Sequence, residues 1–197
     1  MYIVSGSIEQ NDQNDIALLA GPDATAAATI MQSLRNLYDN SIIKHYYATK
    51  QYLAIFNEYI VSVGGPLHNP CTKAMLENIT KEIYFDENDS LMFFGKAYSK
   101  STLDHIDYGL IVRHTNPYST IKKVIILAGC GSHGVLAASM LFESSQSFKE
   151  LNKSFKKKRG FLNNLLNNDF FGVVKCNMTG NEVSNIIIVD LKAVKRR

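Results

Sequence analysis

A chain of 197 residues, 46% apolar and 20% charged, is long enough to bury roughly 70% of its unfolded surface in one core. A formal net charge of +3 is too small to imply nucleic acid, and this composition excludes wholesale disorder and fibrous repeats. Cys71, Cys130 and Cys176 are odd in number, far apart and without C-x-x-C spacing, which argues against a disulfide framework or structural zinc and suits a reducing cytoplasm. The first residues lack a basic stretch before their short apolar run, and about 18 consecutive apolar residues occur nowhere, so neither export nor membrane insertion is expected.

In chain order, residues 2–8 read as a short strand and 9–15 as a polar turn. Residues 16–20 form a continuous apolar run of the kind found in strands covered on both faces. Ala24, Ala27, Ala28, Ile30, Met31, Leu34 and Leu37 then recur at helical spacing over 24–38. A second strand is expected over 42–48, a short helix over 49–56, a third strand over 59–63, and a helix over 70–79 opened by Pro70, which needs no intrahelical donor there. Residues 91–98 and 108–113 alternate as half-exposed strands, an antiparallel addition or flap. The buried-strand pattern returns at 124–128, followed by a helix from Gly134 to about residue 147. The polar, basic and Asn-rich stretch 148–168 reads as a mobile insertion, and strands over 170–177 and 183–191 flank a Thr179-Gly180-Asn181 turn signal.

Three units of strand, glycine turn and helix stand out. Gly21-Pro22-Asp23 follows the first apolar run, Gly64-Gly65-Pro66 follows the third strand, and Gly129-Cys130-Gly131-Ser132-His133-Gly134 follows the strand at 124–128 in a G-x-G-x-x-G pattern. Glycines let backbone N–H groups approach an anion at a helix start, where the peptide dipoles place about half a positive charge. On one sheet edge, Gly21, Asp23, Gly64, Gly65, Asn69, Thr72, Gly129, Gly131, Ser132, His133 and Gly134 would face a common crevice, with Arg113 as a strand-end clamp for phosphate or carboxylate. Asn69 and Asp23 read equally well as plain helix caps. The pattern does not fit a dinucleotide fingerprint, because no acidic residue closes a second strand about 20 residues on. Nor does Ser132 fit a hydrolase elbow, since no histidine follows His133. His133, Ser132, Cys130 and Asp23 are the catalytic candidates, although a thiol in a strand-end turn such as Cys130 is usually a small packing residue. No cofactor or metal is expected. The basic runs Lys153, Lys156–Arg159 and Lys192, Lys195–Arg197 read as solvated surface rather than a nucleic-acid groove.

Taken together, the G-G-P-x-x-N-x-x-T segment from Gly64 to Thr72 and the A-G-x-x-x-x-G-x-x-A-A segment from Ala128 to Ala138 resemble uncharacterised bacterial α/β domains. More distantly, they resemble the Rossmann-like domains of archaeal S-layer proteins. The resemblance covers about 80 residues and implies a Rossmann-like fold; it carries over no catalytic residue. The expected architecture is therefore an α/β, Rossmann-like three-layer domain over residues 1–197, with a mostly parallel sheet and antiparallel additions. The leading functional expectation is binding of a small phosphate-bearing or nucleotide-derived ligand by a sensor, sequestering or regulatory protein in the cytoplasm. The alternatives are a hydrolase or transferase acting on a nucleotide-like substrate in the same crevice, and a structural module that forms a homo-oligomer.

Overall fold

The computed structural model describes residues 1–5, 9–10, 17–18, 21–37, 44–47, 55–141 and 169–194. In chain order the first half contains β1 (Tyr2–Ser5), β2 (Glu9–Gln10), β3 (Ala17–Leu18), α1 (Gly21–Leu37), β4 (Lys44–Tyr47), β5 (Ile60–Val63), α2 (Pro70–Ile79), β6 (Ile83–Phe85), β7 (Leu91–Phe93) and β8 (Lys96–Tyr98). The second half contains β9 (Ile106–Thr115), β10 (Lys123–Gly129), α3 (Ser132–Met140), β11 (Phe170–Thr179) and β12 (Glu182–Ala193).

Seven strands form the main sheet in the order β12-β11-β9-β10-β5-β1-β4. From β4 through β1 and β5 to β10 the pairings are parallel, whereas β9, β11 and β12 join antiparallel. This corrects the expected Rossmann-like fold. Half of the sheet pairings are antiparallel, strands outweigh helices, and one outer layer is shared between a helix and a second small sheet. The antiparallel half exists because β9 turns directly into β10 and β11 directly into β12, pairs that need no crossover helix, while α3 lies in the chain between β10 and β11, which flank β9.

Strand alternation divides the core in two. Val61, Val63, Ile111, Leu127 and Val174 point to the face covered by Ala26 and Ile30 of α1 and by Val135, Leu136 and Ala138 of α3. Ile60, Leu110, Val112, Ile126 and Val173 point the other way, toward Met75 and Leu76 of α2 and toward Ile83, Leu91 and Phe93 of the β6-β7-β8 sheet. Each such fully buried aliphatic side chain contributes about 1.5–3 kcal/mol.

Three local readings change. Residues 17–18 pair antiparallel with Glu9–Gln10 in a separate ribbon, and β1 supplies the strand expected from 16–20. β9 is no flap: it lies between β10 and β11 inside the sheet, and Leu110, Ile111 and Val112 are fully buried. β6 was unforeseen, a three-residue strand too short to show a period. By contrast, α2 runs over the expected 70–79 with Pro70 in its first turn, and the β11–β12 turn falls at Gly180, whose φ of +59° suits glycine. The helix expected over 49–56 and the insertion expected over 148–168 lie largely or wholly outside the described residues. Among the described residues, no helix is long and apolar enough to cross a membrane.

Candidate functional site

β5 and β10 are adjacent and parallel, so the turns after them open on the same edge. The Gly64 N–H donates to the Leu127 carbonyl at 2.9 Å, and a Cβ placed on Gly65 would lie 3.3 Å from the Gly129 carbonyl oxygen. Beyond this contact the chain diverges, with α2 packing on one face of the sheet and α3 on the other. Ligands of open α/β sheets collect where neighbouring connections leave in opposite directions.

The first turn is filled from within. Gly64 takes a φ of +114°, a conformation that L side chains rarely adopt. The Asn69 side-chain carbonyl accepts the N–H groups of Cys71 at 3.0 Å and Thr72 at 3.2 Å, capping α2. Its amide donates to the carbonyls of Val63 at 2.9 Å and Val4 at 3.2 Å, and to Ser62 Oγ at 3.1 Å. Thr72 donates its only hydroxyl proton to the Gly64 carbonyl at 2.9 Å, so Ser62 must be the donor in their 2.8 Å contact. Asn69 and Thr72 are fully buried, and both bind the turn to β1, β5 and α2 rather than facing a ligand.

The second turn is built differently. A Cβ on Gly134 would collide with the Tyr108 carbonyl, one on Gly109 with the Gly134 carbonyl, and one on Gly129 would sit 2.6 Å from Val135 N. These glycines let α3 start directly against β9 and β10. The Gly134 N–H donates to Asp107 Oδ2 at 2.8 Å, while Asp107 Oδ1 accepts the Tyr108 N–H at 2.8 Å. Burial pushes the Asp107 carboxyl above the usual range, opposed by these two donors and by the charge of Lys100. The helix-start N–H groups of Gly131, Ser132 and His133 have no acceptor among the described residues. Lys100 lies beside Gly131: a Cβ there would be 3.1 Å from its Nζ and 2.7 Å from Asp107 Oδ2.

The catalytic candidates fare unequally. Cys130 is buried, its thiol donates to the Tyr98 carbonyl at 3.2 Å, and burial pushes it up to about 12. Burial likewise raises Cys71 to about 11 and Cys176 to about 12, so all three stay protonated thiols near neutral pH. His133 Nε2 donates to the Gly180 carbonyl at 2.7 Å, and its buried Nδ1 has no partner among the described residues. Ser132 and His133 stand at the turn, but the ring is held by the β11–β12 hairpin.

Two expected members are elsewhere. Gly21 is the first residue of α1 and does not follow a strand of the main sheet, so the three-turn edge reduces to two turns; the Asp23 side chain lies outside the described residues. Arg113 pairs in register with Ile125, four residues before Gly129, because β9 runs antiparallel to β10. It therefore sits toward the opposite end of the sheet, 3.3 Å from Asp169. That end has its own groove of about 840 Å³, lined in part by His114, Lys123 and Asp169. A smaller groove of about 340 Å³ runs between α2 and β6 and begins at Pro66 and Leu67, directly after the Gly64–Gly65 turn.

Lys100 and Asp107 were missed in the sequence. Asp107 had one signal, an acid in line with Gly109 and Ile111 on a buried strand face; Lys100 had none. No protein-family model, curated protein or solved structure matches the chain.

Proposed function

We propose that this protein binds a small phosphate-bearing ligand at the crevice between the Gly64–Gly65 and Gly129–Gly134 turns, as a sensor, sequestering or regulatory protein. The observation that carries this reading is the set of three N–H groups at Gly131, Ser132 and His133 without an acceptor among the described residues, with Lys100 beside Gly131, at the point where α2 and α3 diverge. Of the α3 N–H groups Asp107 takes that of Gly134 only, so a ligand anion would occupy the start of the helix and not its first full turn. Lys100 supplies the positive charge that offsets the neighbouring carboxylate.

Binding is favoured over turnover by the side chains at the crevice. Cys130 is a protonated thiol engaged with Tyr98, and the His133 ring is committed to Gly180. Three free, buried cysteines suit the reducing cytoplasm in which we place the protein. Titration of the full chain with inorganic phosphate by calorimetry tests the proposal. Saturable binding should weaken at least tenfold in Lys100→Ala, whereas equal affinity of the two proteins would contradict it.

A further inference from the structure

We propose that β12 is a self-association edge, on which a second copy of this chain lays its own β12 antiparallel and joins the two seven-stranded sheets into one. β12 ends the main sheet, and nothing among the described residues pairs with its outer side. Such an edge is a template for another strand unless its sequence protects it. Here the sequence does the reverse. Ile186, Ile187, Ile188 and Val189 form an unbroken β-branched run, none of the four is buried, and Ile187 is 55% exposed.

The ladder to β11 fixes which backbone groups face outward. The Val194 N–H donates to the Asp169 carbonyl, so Lys192 and Asp190 also bond toward β11 and Leu191 faces away. By the same alternation along β11, Lys175 bonds toward Ile187, which leaves the backbones of Ile186 and Ile188 on the open side. Asn177 bonds toward Ser184 and leaves Val183 outward.

A two-fold axis at Ile187 sets Ile186 against Ile188 of the second copy and Val183 against Leu191 of the second copy. Paired residues then share a face: Val183, Ile186, Ile188 and Leu191 lie on the side of α1 and α3. Ile187 lies on the other side by alternation, as does Lys192, whose ammonium is 3.3 Å from the center of the Phe94 ring. The irregularities of β12 at Asn185–Ile186 and at Val189 fall opposite each other, so both edges bend together. The Asp190 carboxylate takes the Leu191 N–H at 2.8 Å, which centers the shared ladder on the isoleucines. Charge agrees with this register, because Glu182 faces Lys192 of the second copy, twice by symmetry.

Sedimentation of the full chain over a concentration series tests this, with circular dichroism confirming that each variant is folded. The chain should dimerise. Ile187→Glu, which sets two carboxylates face to face at the axis, should weaken the dimer by more than about tenfold. Glu182→Lys and Lys192→Glu should each weaken it about tenfold by making two attractive pairs repulsive, and the two together should restore it. Lys192→Glu also loses the Phe94 contact, which the double variant still lacks, so the rescue reads the pair between copies alone. A chain that stays monomeric throughout the series overturns the proposal, as does a dimer that Ile187→Glu leaves unchanged. A dimer weakened by Ile187→Glu but not restored in the double variant overturns the register.

Discussion

The two glycine turns at the ends of β5 and β10 look alike in sequence and solve opposite problems. In the first, a neutral amide two to three residues away caps α2, and every polar group of Asn69 and Thr72 is turned inward. In the second, the capping group is a carboxylate from a neighbouring strand, and the glycines serve to bring α3 against Tyr108 and Gly109. The first turn is closed; the second leaves the N–H groups of Gly131, Ser132 and His133 without an acceptor among the described residues, with Lys100 beside Gly131. A glycine-rich turn thus signals close backbone approach, and only the origin of the cap decides whether any donor is left for a ligand.

The comparison breaks most severely at Gly134. Gly134→Ala gains helix propensity, about 1 kcal/mol, yet its methyl group would overlap the Tyr108 carbonyl. Overpacking against backbone should cost roughly 3 kcal/mol net, read as a fall in the urea midpoint. A neutral result would mean that α3 does not rest on β9 as described.

Next comes Asn69→Ala, which removes the α2 cap and leaves the buried Val4 and Val63 carbonyls short of a donor. A loss of about 2–3 kcal/mol is expected from the cap and the orphaned groups together. Asn69→Asp should restore only part of it, because the cap returns without the amide donors. Full stability in Asn69→Asp would remove those donor bonds from the account.

The pH dependence separates the two ends of the sheet. Burial raises the Asp107 carboxyl, so the folded state binds its proton more readily than the unfolded chain does. Its contribution is therefore greatest below the unfolded carboxylate value of about 3.9 and declines as pH rises through the folded value. At Asp169 burial acts in the same upward direction, but the hydrogen bond and charge of Lys123, then Thr115, carry the carboxyl below its usual range. Its contribution is present above the unfolded value and is lost as pH falls through the folded one. Unfolding measured from acid to neutral pH should show the acid loss of stability reduced in Asp169→Asn, and the decline on raising pH reduced in Asp107→Asn. Identical pH profiles for the two variants would show that these carboxylates do not differ in the way their surroundings require.

What could be read from the chain follows from how local each signal is. α2 was legible because Asn69 and Pro70 mark its start within two residues, β10 because its apolar run Val124–Ala128 is uninterrupted, and β5 because Ser62 alone breaks its β-branched run before the Gly64–Gly65 turn. The Gly180 turn was legible from three residues. β9 was misjudged because Asp107, Tyr108 and Arg113 flank a short apolar center, Leu110–Val112, while its burial on one side comes from β11, far away in the chain. The apolar run at 16–20 resembled a central strand until β1 took that place. At the site, Gly64, Gly65, Gly129, Gly131 and Gly134 were found by pattern. Lys100 and Asp107 meet the turn only through tertiary contact, and the reversed direction of β9 carried Arg113 away from it.

The central claim is that the open donors of the second turn receive an anion. Amide chemical shifts of the isotope-labelled full chain, followed during titration with inorganic phosphate, test it most directly. The account predicts saturable shifts at Gly131, Ser132 and His133, spreading to Gly64 and Gly65 and abolished in Lys100→Ala. Shifts confined to the Arg113, Lys123 and Asp169 end of the sheet, or none at residues 131–133 at saturating phosphate, would contradict it.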